Sequence, residues 1–145
     1  MAVEVKVLQA GDENVLANVA EDVFDNPIDQ NLTREFLADP RHHIAVAMDD
    51  GLVVGFASGV HYVHPDKPAE LWINEVGVAP SHHGQGLGKA VMGALLEVGR
   101  DHGCREAWVL TNVGNAAARA LYVSVGGTEG ADDSADAALG YSFAL

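Results

Sequence analysis

The first part of the chain contains apolar positions at both strand-like and helix-like spacing. Residues 3–8 carry apolar side chains at nearly every second position, which is typical of a strand. Apolar residues then recur at helical spacing over 15–24, and Pro27 restricts the residue before it, which predicts the end of that helix. The pattern over 32–37 predicts a second, short helix.

Two apolar runs on either side of a glycine-containing turn predict a β-hairpin. The first run covers 44–48, the turn is Asp-Asp-Gly at 49–51, and the second run covers 52–62. Residues 64–68 contain two prolines and predict a loop, and 70–79 predicts a further strand.

The second half continues with alternating elements. A helical face after residue 88 predicts a helix that ends near Gly103. Residues 107–110 and 141–145 predict strands, and 115–125 predicts a helix between them. The stretch 130–140 is rich in Asp, Ala and Gly and predicts a mobile loop.

The order of these elements predicts one α/β (α+β) domain over residues 1–145 with a twisted mixed β-sheet. A length of 145 residues suits a single hydrophobic core. No internal repeat or Pro-rich linker divides the chain.

The net charge bears on the expected partners. Eight Lys and Arg against 21 Asp and Glu give a formal charge of −13. Such a surface repels phosphate backbones and attracts cations, so nucleic acid is not an expected partner. Acidity that serves only solubility or salt tolerance is the alternative interpretation.

Cysteine usage and hydropathy predict a cytoplasmic location without a membrane partner. Cys104 is the single cysteine, so no intrachain disulfide can form. It precedes a strand-like run and is interpreted as a small buried residue rather than a nucleophile. The N-terminus lacks a signal peptide's long apolar block, and no apolar run reaches the roughly 20 residues that span a bilayer.

A strand, a glycine loop and a helix carry the main chemical signal. Gly84, Gly86 and Gly88 let the backbone approach a ligand closely. Successive N–H groups in such a loop, with a helix N-terminus behind them, form an anion site that suits a pyrophosphate, and Lys89 adds positive charge. The spacing matches neither the dinucleotide fingerprint G-x-G-x-x-G nor the phosphate loop G-x-x-x-x-G-K-[ST].

The run 76–90, VGVAPSHHGQGLGKA, resembles the acetyl-CoA motif of GNAT N-acetyltransferases, [QR]-x-x-G-x-[GA] after a strand ending in Val-x-Pro. The segment 115–126, N-x-x-A-x-x-L-Y-x-x-x-G, is similar to that family's Asn and Tyr helix. The resemblance covers nearly the whole chain and implies the GNAT fold, with about four helices around the sheet and acetyl-CoA as cosubstrate. His83 stands where the family usually has Arg or Gln, which implies weaker or pH-dependent cofactor binding if that side-chain charge matters.

The resemblance also implies roles for individual residues. The backbone of Val76 and Val78 is expected to face the pantetheine, and Gly77 between them to suit splaying of the strand. Tyr122 is expected to protonate the departing thiolate, with a core aromatic as the alternative. The implied cofactor-binding residues are Val76, Val78, His83, Gly84, Gln85, Gly86, Gly88, Lys89, Asn115 and Tyr122.

Acyl transfer to an amine requires a base, because an ammonium has no lone pair. Glu75 precedes Val76 directly and is the predicted base, acting itself or through water; a solvated or structural carboxylate is the alternative. No Ser/His/Asp or Cys/His set is evident, which favours direct attack in a ternary complex. No metal is expected, because three histidine pairs or near-pairs lack further ligands at the usual spacing: His42-His43, His61/His64 and His82-His83.

The segment 70–78 resembles the corresponding strand of small aminoglycoside 3-N-acetyltransferases, with Glu75 in place of Asp and Asn74 in place of an aromatic residue. The resemblance implies acetylation of the 3-amino group of 2-deoxystreptamine, antibiotic resistance and a homodimer. A cationic small molecule also fits two acidic segments, which contain Glu21, Asp22, Asp25 and Asp29 early and Glu129, Asp132, Asp133 and Asp136 late. Alternatives are a GNAT enzyme acting on a protein amine or a polyamine, or a non-catalytic acetyl-CoA-binding domain. The predicted substrate-binding residues are Asp25, Tyr62, Glu75 and Asp136.

Overall fold

A five-stranded mixed sheet is the centre of the computed structural model, which describes residues 3–130, 141 and 144. The strands are β1 (Val3–Val7), β2 (His42–Asp49), β3 (Leu52–His64), β4 (Lys67–Val78) and β5 (Glu106–Trp108). The helices are α1 (Gln30–Ala38), α2 (Leu87–Asp101) and α3 (Ala116–Ser124), with short 3₁₀ turns at Glu13–Ala17 and Pro80–His82.

The strands lie in sequence order across the sheet, and β1 to β4 are antiparallel. The β2–β3 turn has Asp50 at φ 50° and Gly51 at φ 80°. Two successive positive φ angles are those of the type I′ turn, whose twist matches that of the flanking strands. The predicted hairpin is therefore confirmed.

Strands β4 and β5 pair in parallel over only three positions, from Glu70–Glu106 to Trp72–Trp108. β4 continues to Val78 while β5 ends at Trp108. Within the described residues, the last part of β4 is thus hydrogen-bonded to β3 alone. This opens one edge of β4 towards its C-terminal end.

Helix α2 covers one face of the sheet. A Cβ at Gly99 would lie 3.1 Å from Cδ2 of Leu71, so α2 and β4 approach closely there. Val91 and Leu95 of α2 are fully buried, as are Val46 and Ala57 in the sheet. Leu71 of β4 therefore lies on the face of the sheet that α2 covers.

The predicted α/β class with a mixed sheet is confirmed, but the first predicted helix is wrong. Residues 15–24 form only the end of a 3₁₀ turn, a single bridge in which Val19 pairs with Val53 of β3, and turns and bends over 21–24. Val53 N donates to Asn18 O, and Ala20 N donates to Val53 O, both over 2.9 Å. These tertiary hydrogen bonds replace helical ones, so the described residues contain three α-helices rather than four.

The remaining expectations concern the end of the chain and the membrane. The predicted loop 130–140 and strand 141–145 lie almost wholly outside the described residues. Among the described residues, no helix has both the length and the hydropathy required to cross a membrane.

Candidate functional site

A bulge in β4 sets the direction of Glu75. Gly59 of β3 pairs with Ile73, while the preceding Ser58 pairs with Glu75, so Asn74 is an extra residue on β4. An inserted residue reverses the alternation of side chains beyond it. Ile73 therefore lies on the face covered by α2, whereas Glu75 lies on the opposite face.

Gly77 allows the chain before α1 to lie against β4. A Cβ at Gly77 would lie 2.5 Å from the carbonyl oxygen of Val23 and 2.9 Å from Cε1 of Phe56. Close approach of these groups, rather than strand splaying, is the physical reason for this glycine. The contact brings Asp25, two residues beyond Val23, towards Glu75.

A cleft of about 210 Å³ lies where these segments meet. It brings together Asp25 from the segment before α1, Glu75 from β4 and Tyr122 from α3. These three side chains are separated by up to about a hundred positions in the sequence, and only the fold makes them neighbours. The other lining residues are Val23, Phe56, Asn74, Val76, Val109 and Leu110.

The environment of Glu75 raises the pKa of its carboxyl group. The largest cause is partial removal from solvent, followed by the negative charge of Asp25 and a hydrogen bond between the two carboxyl groups. A raised pKa makes a carboxylate a stronger base once it has lost its proton. This matches the role predicted for Glu75.

The environment of Tyr122 keeps its hydroxyl group protonated. Burial raises the pKa of the phenol, because the phenolate would be poorly solvated in the cleft. Tyr122 can therefore donate a proton at neutral pH. The cleft thus combines a carboxylate that accepts a proton with a phenol that can supply one.

The glycine loop has the geometry of an anion site. Gly84 and Gly86 have φ angles of 77° and 75°, which strain any residue with a Cβ. Gly86 is the N-cap of α2 and provides no side-chain cap. The amides of the first helical turn therefore have no intrahelical acceptor and remain available to an anion.

Gly88 has a different role from its two neighbours. A Cβ at Gly88 would lie 3.2 Å from Cδ2 of Leu121 and 3.8 Å from Cγ2 of Val78. The glycine lets the start of α2 pack closely against α3 and β4. It thereby holds the loop next to the open edge of β4.

His83 lies at this open edge. Its Nε2 donates a hydrogen bond to the carbonyl oxygen of Val78 over 2.9 Å. Ala79 N bonds to Val54 O on β3, so the backbone of Val78, one residue earlier, points away from β3. Val76, two residues before Val78, has the same orientation. The structure therefore places Val76, Val78 and His83 together.

Asn115 positions α3. Its Oδ1 accepts a hydrogen bond from the amide of Ala118 over 3.0 Å, which makes it the N-cap of the helix. An N-cap is worth about 1 kcal/mol of helix stability. Asn115 thus fixes the start of the helix that carries Tyr122.

A Ser–His–Asp chain was missed by the sequence reasoning. Ser81 Oγ lies 2.8 Å from His82 Nδ1, and His82 Nε2 lies 2.7 Å from Asp49 Oδ2. Asp49 is 33 positions away from His82 in the sequence, so the adjacent Ser81 and His82 were the only sequence signal for this Ser–His–Asp arrangement. Ser81 does not line the cleft that contains Glu75. The two hydrogen bonds connect the start of the glycine loop to the β2–β3 hairpin.

Of the other two predicted substrate residues, Tyr62 lies away from the cleft and Asp136 is not among the described residues. Tyr62 is not among the residues that line the cleft. Its hydroxyl donates to Glu70 and accepts from Trp108 Nε1, both over 3.0 Å, near the other end of β4.

Two acidic residues of the predicted cation-attracting segments have local partners. Asp29 is the N-cap of α1 and accepts hydrogen bonds from two backbone amides. Glu129 forms an ion pair with Arg119, at 2.6 and 3.1 Å. Among the described residues, the carboxylates that line the cleft are those of Asp25 and Glu75.

Residues 14–126 match the model of the acetyltransferase (GNAT) family. The chain belongs to this family, as the two motifs indicated.

Curated relatives of similar sequence are also acetyltransferases. An uncharacterised N-acetyltransferase of Mycobacterium tuberculosis is 32% identical over 103 residues, covering 68% of this chain and 64% of the relative. The N-alpha-acetyltransferase RimI of the same species is 32% identical, covering 72% and 63%. The chain thus spans slightly less than two thirds of the length of these relatives.

Solved structures show the same fold over the whole chain. The aminoglycoside acetyltransferase AAC(6')-Iy, in complex with a bisubstrate analogue containing CoA, has a TM-score of 0.78 at 19% identity, with 100% of both chains covered. A soil metagenomic aminoglycoside acetyltransferase bound to sisomicin has a TM-score of 0.77 at 17% identity, covering 99% of this chain and 96% of that one. At these identities the similarity establishes the fold alone.

Proposed function

We propose that the protein transfers the acetyl group of acetyl-CoA to a primary amine of a cationic small molecule. The observation that carries the proposal is the cleft itself, in which Glu75, Asp25 and Tyr122 meet beside the open edge of β4. Amine acylation uses a base and a proton donor, and a second anionic group can bind a cationic amine.

The glycine loop and the open edge of β4 suit the two ends of the cosubstrate. The free amides before and within the first turn of α2 would bind the pyrophosphate, with Lys89 nearby. The pantetheine would lie along β4 as an extra strand, bonded to the outward backbone of Val76 and Val78. The Oδ1 of Asn115 caps α3, and its side-chain NH2 group would bind the cofactor arm.

The chemistry then needs three proton transfers. Glu75 accepts a proton from the substrate ammonium, directly or through water, and the neutral amine attacks the thioester carbonyl. The C–N bond forms, the C–S bond breaks, and Tyr122 donates its hydroxyl proton to the departing sulfur. The second proton lost by the attacking nitrogen restores the Tyr122 hydroxyl, directly or through water. Asp25 attracts the cation and keeps the pKa of Glu75 high.

An aminoglycoside is the proposed substrate, because several ammonium groups gain from a chain of net charge −13. The fold neighbours named as aminoglycoside acetyltransferases support this class. They include a 6'-enzyme, so acetylation of the 3-amino group of 2-deoxystreptamine rests on the resemblance of the β4 segment alone. Resistance and a homodimer likewise remain predictions.

A second candidate is the α-amine of a peptide or a small diamino acid. It is favoured by the relatives RimI and the L-2,4-diaminobutyric acid acetyltransferase of Nocardia farcinica, the latter 33% identical over 86 residues and 59% of this chain. The cleft chemistry is the same for both candidates. The size of the amine that fits distinguishes them.

Both candidates are tested by one panel of amines assayed with acetyl-CoA through thiol release. The panel contains 2-deoxystreptamine aminoglycosides, short peptides with free N-termini, and 2,4-diaminobutyrate. NMR of the product identifies the acetylated nitrogen. Rapid acetylation of a peptide with no turnover of any aminoglycoside would replace the first candidate by the second.

The role of charge is tested by salt and by a matched variant. The KM of an aminoglycoside should rise with ionic strength, while that of acetyl-CoA should not rise in parallel, because charges more than about 8 Å apart are screened at physiological salt. Asp25→Asn should raise the amine KM. Glu4→Gln makes the same change in net charge on β1, across the sheet, and should leave that KM nearly unchanged.

A further inference from the structure

Three histidines from separate elements converge on the α2 face of the sheet. His43 lies on β2, His61 on β3 and His102 at the C-terminal cap of α2. The ring centroids are 4.6 to 4.9 Å apart, and His43 Nε2 lies 2.6 Å from His61 Nδ1. One ring nitrogen from each residue can be chosen so that all three lie within 4.8 Å of one another.

We propose that His43, His61 and His102 form a binding site for a divalent transition metal ion such as Zn²⁺, separate from the acyl-transfer cleft. Imidazole nitrogens suit Zn²⁺, Ni²⁺ and Cu²⁺ and do not suit Mg²⁺ or Ca²⁺. Three protein nitrogens and one water complete a four-coordinate zinc site.

Two of the three rings have lowered pKa values. Burial lowers the pKa of His43 to about 4, with further lowering from the charges of His102, His61 and His42. Burial also lowers the pKa of His61, helped by His102 and Arg41. Removal from solvent is the largest cause for both rings.

His102 is oriented by a backbone hydrogen bond. Its Nδ1 lies 2.9 Å from the carbonyl oxygen of Val98 and, as donor, carries the proton. The tautomer with Nδ1–H leaves the Nε2 lone pair free. Metal-binding histidines in proteins usually have this arrangement, in which the outer nitrogen donates to a carbonyl or carboxylate.

Binding requires movement of all three rings, because the ring nitrogens now lie up to 4.8 Å apart and would have to close by up to about 1.5 Å. Zn–N distances near 2.0–2.1 Å in a tetrahedral site place two nitrogens roughly 3.3 Å apart. His43 Nε2 and His61 Nδ1 would therefore separate by somewhat under an ångström from their 2.6 Å contact. The proton that they share would move to the outer nitrogen of the ring that carries it, without net release.

The site is structural rather than catalytic. The cross-strand partner of His61 is Leu71, on the face covered by α2, while the bulge at Asn74 directs Glu75 to the other face. A bound ion would join β2 and β3 to the C-terminal end of α2. It would thus fix the helix whose N-terminus forms the anion site.

The test uses tag-free protein, treated with EDTA and then dialysed, with Zn²⁺ or Co²⁺ alone as the probe. We expect one equivalent of Zn²⁺ to bind in calorimetry and to raise Tm, and Co²⁺ to give the visible absorption of a four-coordinate nitrogen site. His102→Gln removes a proposed ligand at the protein surface and should weaken Zn²⁺ binding at least about 100-fold, because loss of a ligand's hydrogen-bond partner alone costs up to about that much. His64→Gln, at an exposed histidine beside Asp66, is the control and should bind like the wild type.

Two results would overturn the proposal. One is a Tm that Zn²⁺ does not raise, together with no Co²⁺ absorption. The other is equal Zn²⁺ affinity in the wild type and in His102→Gln. Either result would identify the cluster as packing between neutral rings. Neither would affect the proposed acetyl transfer, which the amine panel tests independently.

Discussion

The imidazole of His83 and the carbonyl oxygen of Val78 are joined by a hydrogen bond of 2.9 Å at the edge of β4 where the pantetheine is proposed to bind. The bond holds the side chain over the strand rather than over the glycine loop. The histidine in the position where the family usually has Arg or Gln is therefore hydrogen-bonded to the backbone of β4.

His83→Arg should bind acetyl-CoA about fivefold more tightly, because a permanent charge near the pyrophosphate adds roughly 1 kcal/mol at an exposed position. His83→Gln is the control, since its amide can still donate to Val78 without adding charge. Its Kd should remain within about twofold of the wild type. Calorimetry with acetyl-CoA measures both, and an arginine variant that binds no more tightly would contradict the electrostatic interpretation.

Glu75→Gln should reduce kcat/KM for the amine by about 10²–10⁴-fold, because the side chain can no longer accept a proton. The wild-type rate should rise with pH as Glu75 loses its proton, and burial together with Asp25 moves that rise above the usual range of a carboxyl group. Asp25→Asn removes one cause of the raised pKa, so the rise should move to lower pH. The pH–rate profile measures both effects. An unaltered profile in Glu75→Gln would assign the base to a water chain or to Asp25.

Tyr122→Phe should lower kcat by about 10²–10⁴-fold while the Kd of acetyl-CoA stays nearly constant, because the ring is kept and only the proton donor is lost. Single-turnover kinetics show whether chemistry limits the rate. Val123→Ala, at the next and exposed position on α3, is the control and should retain activity. Wild-type turnover in Tyr122→Phe with chemistry limiting would count against the role.

Gly86→Val should prevent acetyl-CoA binding, because φ is 75° and a β-branched residue there is strained before any contact with the pyrophosphate is considered. Gly86→Asn is the control for backbone strain, since asparagine tolerates this conformation. Its loss of affinity should be smaller. Cofactor affinity equal to the wild type in a folded Gly86→Val variant would remove the loop from the binding site.

Gly77→Ala should lower Tm and reduce activity, because the new Cβ would lie 2.5 Å from the backbone oxygen of Val23 and force that segment away from Glu75. Overpacking of this kind costs about 1–3 kcal/mol. Gly93→Ala is the matched control in an exposed part of α2, where a Cβ meets nothing within 4 Å. It should instead raise stability by about 0.5–1 kcal/mol. Equal Tm values for the two variants would contradict the packing argument.

Local sequence patterns were sufficient for the elements whose signals are local. The Asp50-Gly51 turn, the glycine loop before α2 and the Asn115 cap each depend on a few adjacent residues, so the sequence alone predicted the hairpin, the anion-site geometry and the start of α3. Glu75 and Tyr122 were also predicted from motifs, and the fold brings both to one cleft.

Tertiary contacts decided the features that depend on distant parts of the chain. Val19 pairs with Val53 and replaces a predicted helix by an irregular segment, because hydrogen bonds to β3 outweigh helical spacing. Tyr62 is an aromatic residue of the type that binds sugars, but its hydroxyl is hydrogen-bonded to Glu70 and Trp108. Whether a polar side chain is available to a ligand depends on its neighbours in space.

The three histidines of the proposed metal site also show the difference between local sequence patterns and tertiary contacts. In the sequence, His43 and His61 belong to two different near-pairs, and His102 stands alone, so ligand spacing predicted no metal site. Only the β2–β3 pairing and the position of α2 place their nitrogens within 4.8 Å of one another. The sequence determined the family, the fold class and the residues able to react. The packing of strands and helices decided which of them meet, because each such meeting requires contacts between segments whose separation no local pattern records.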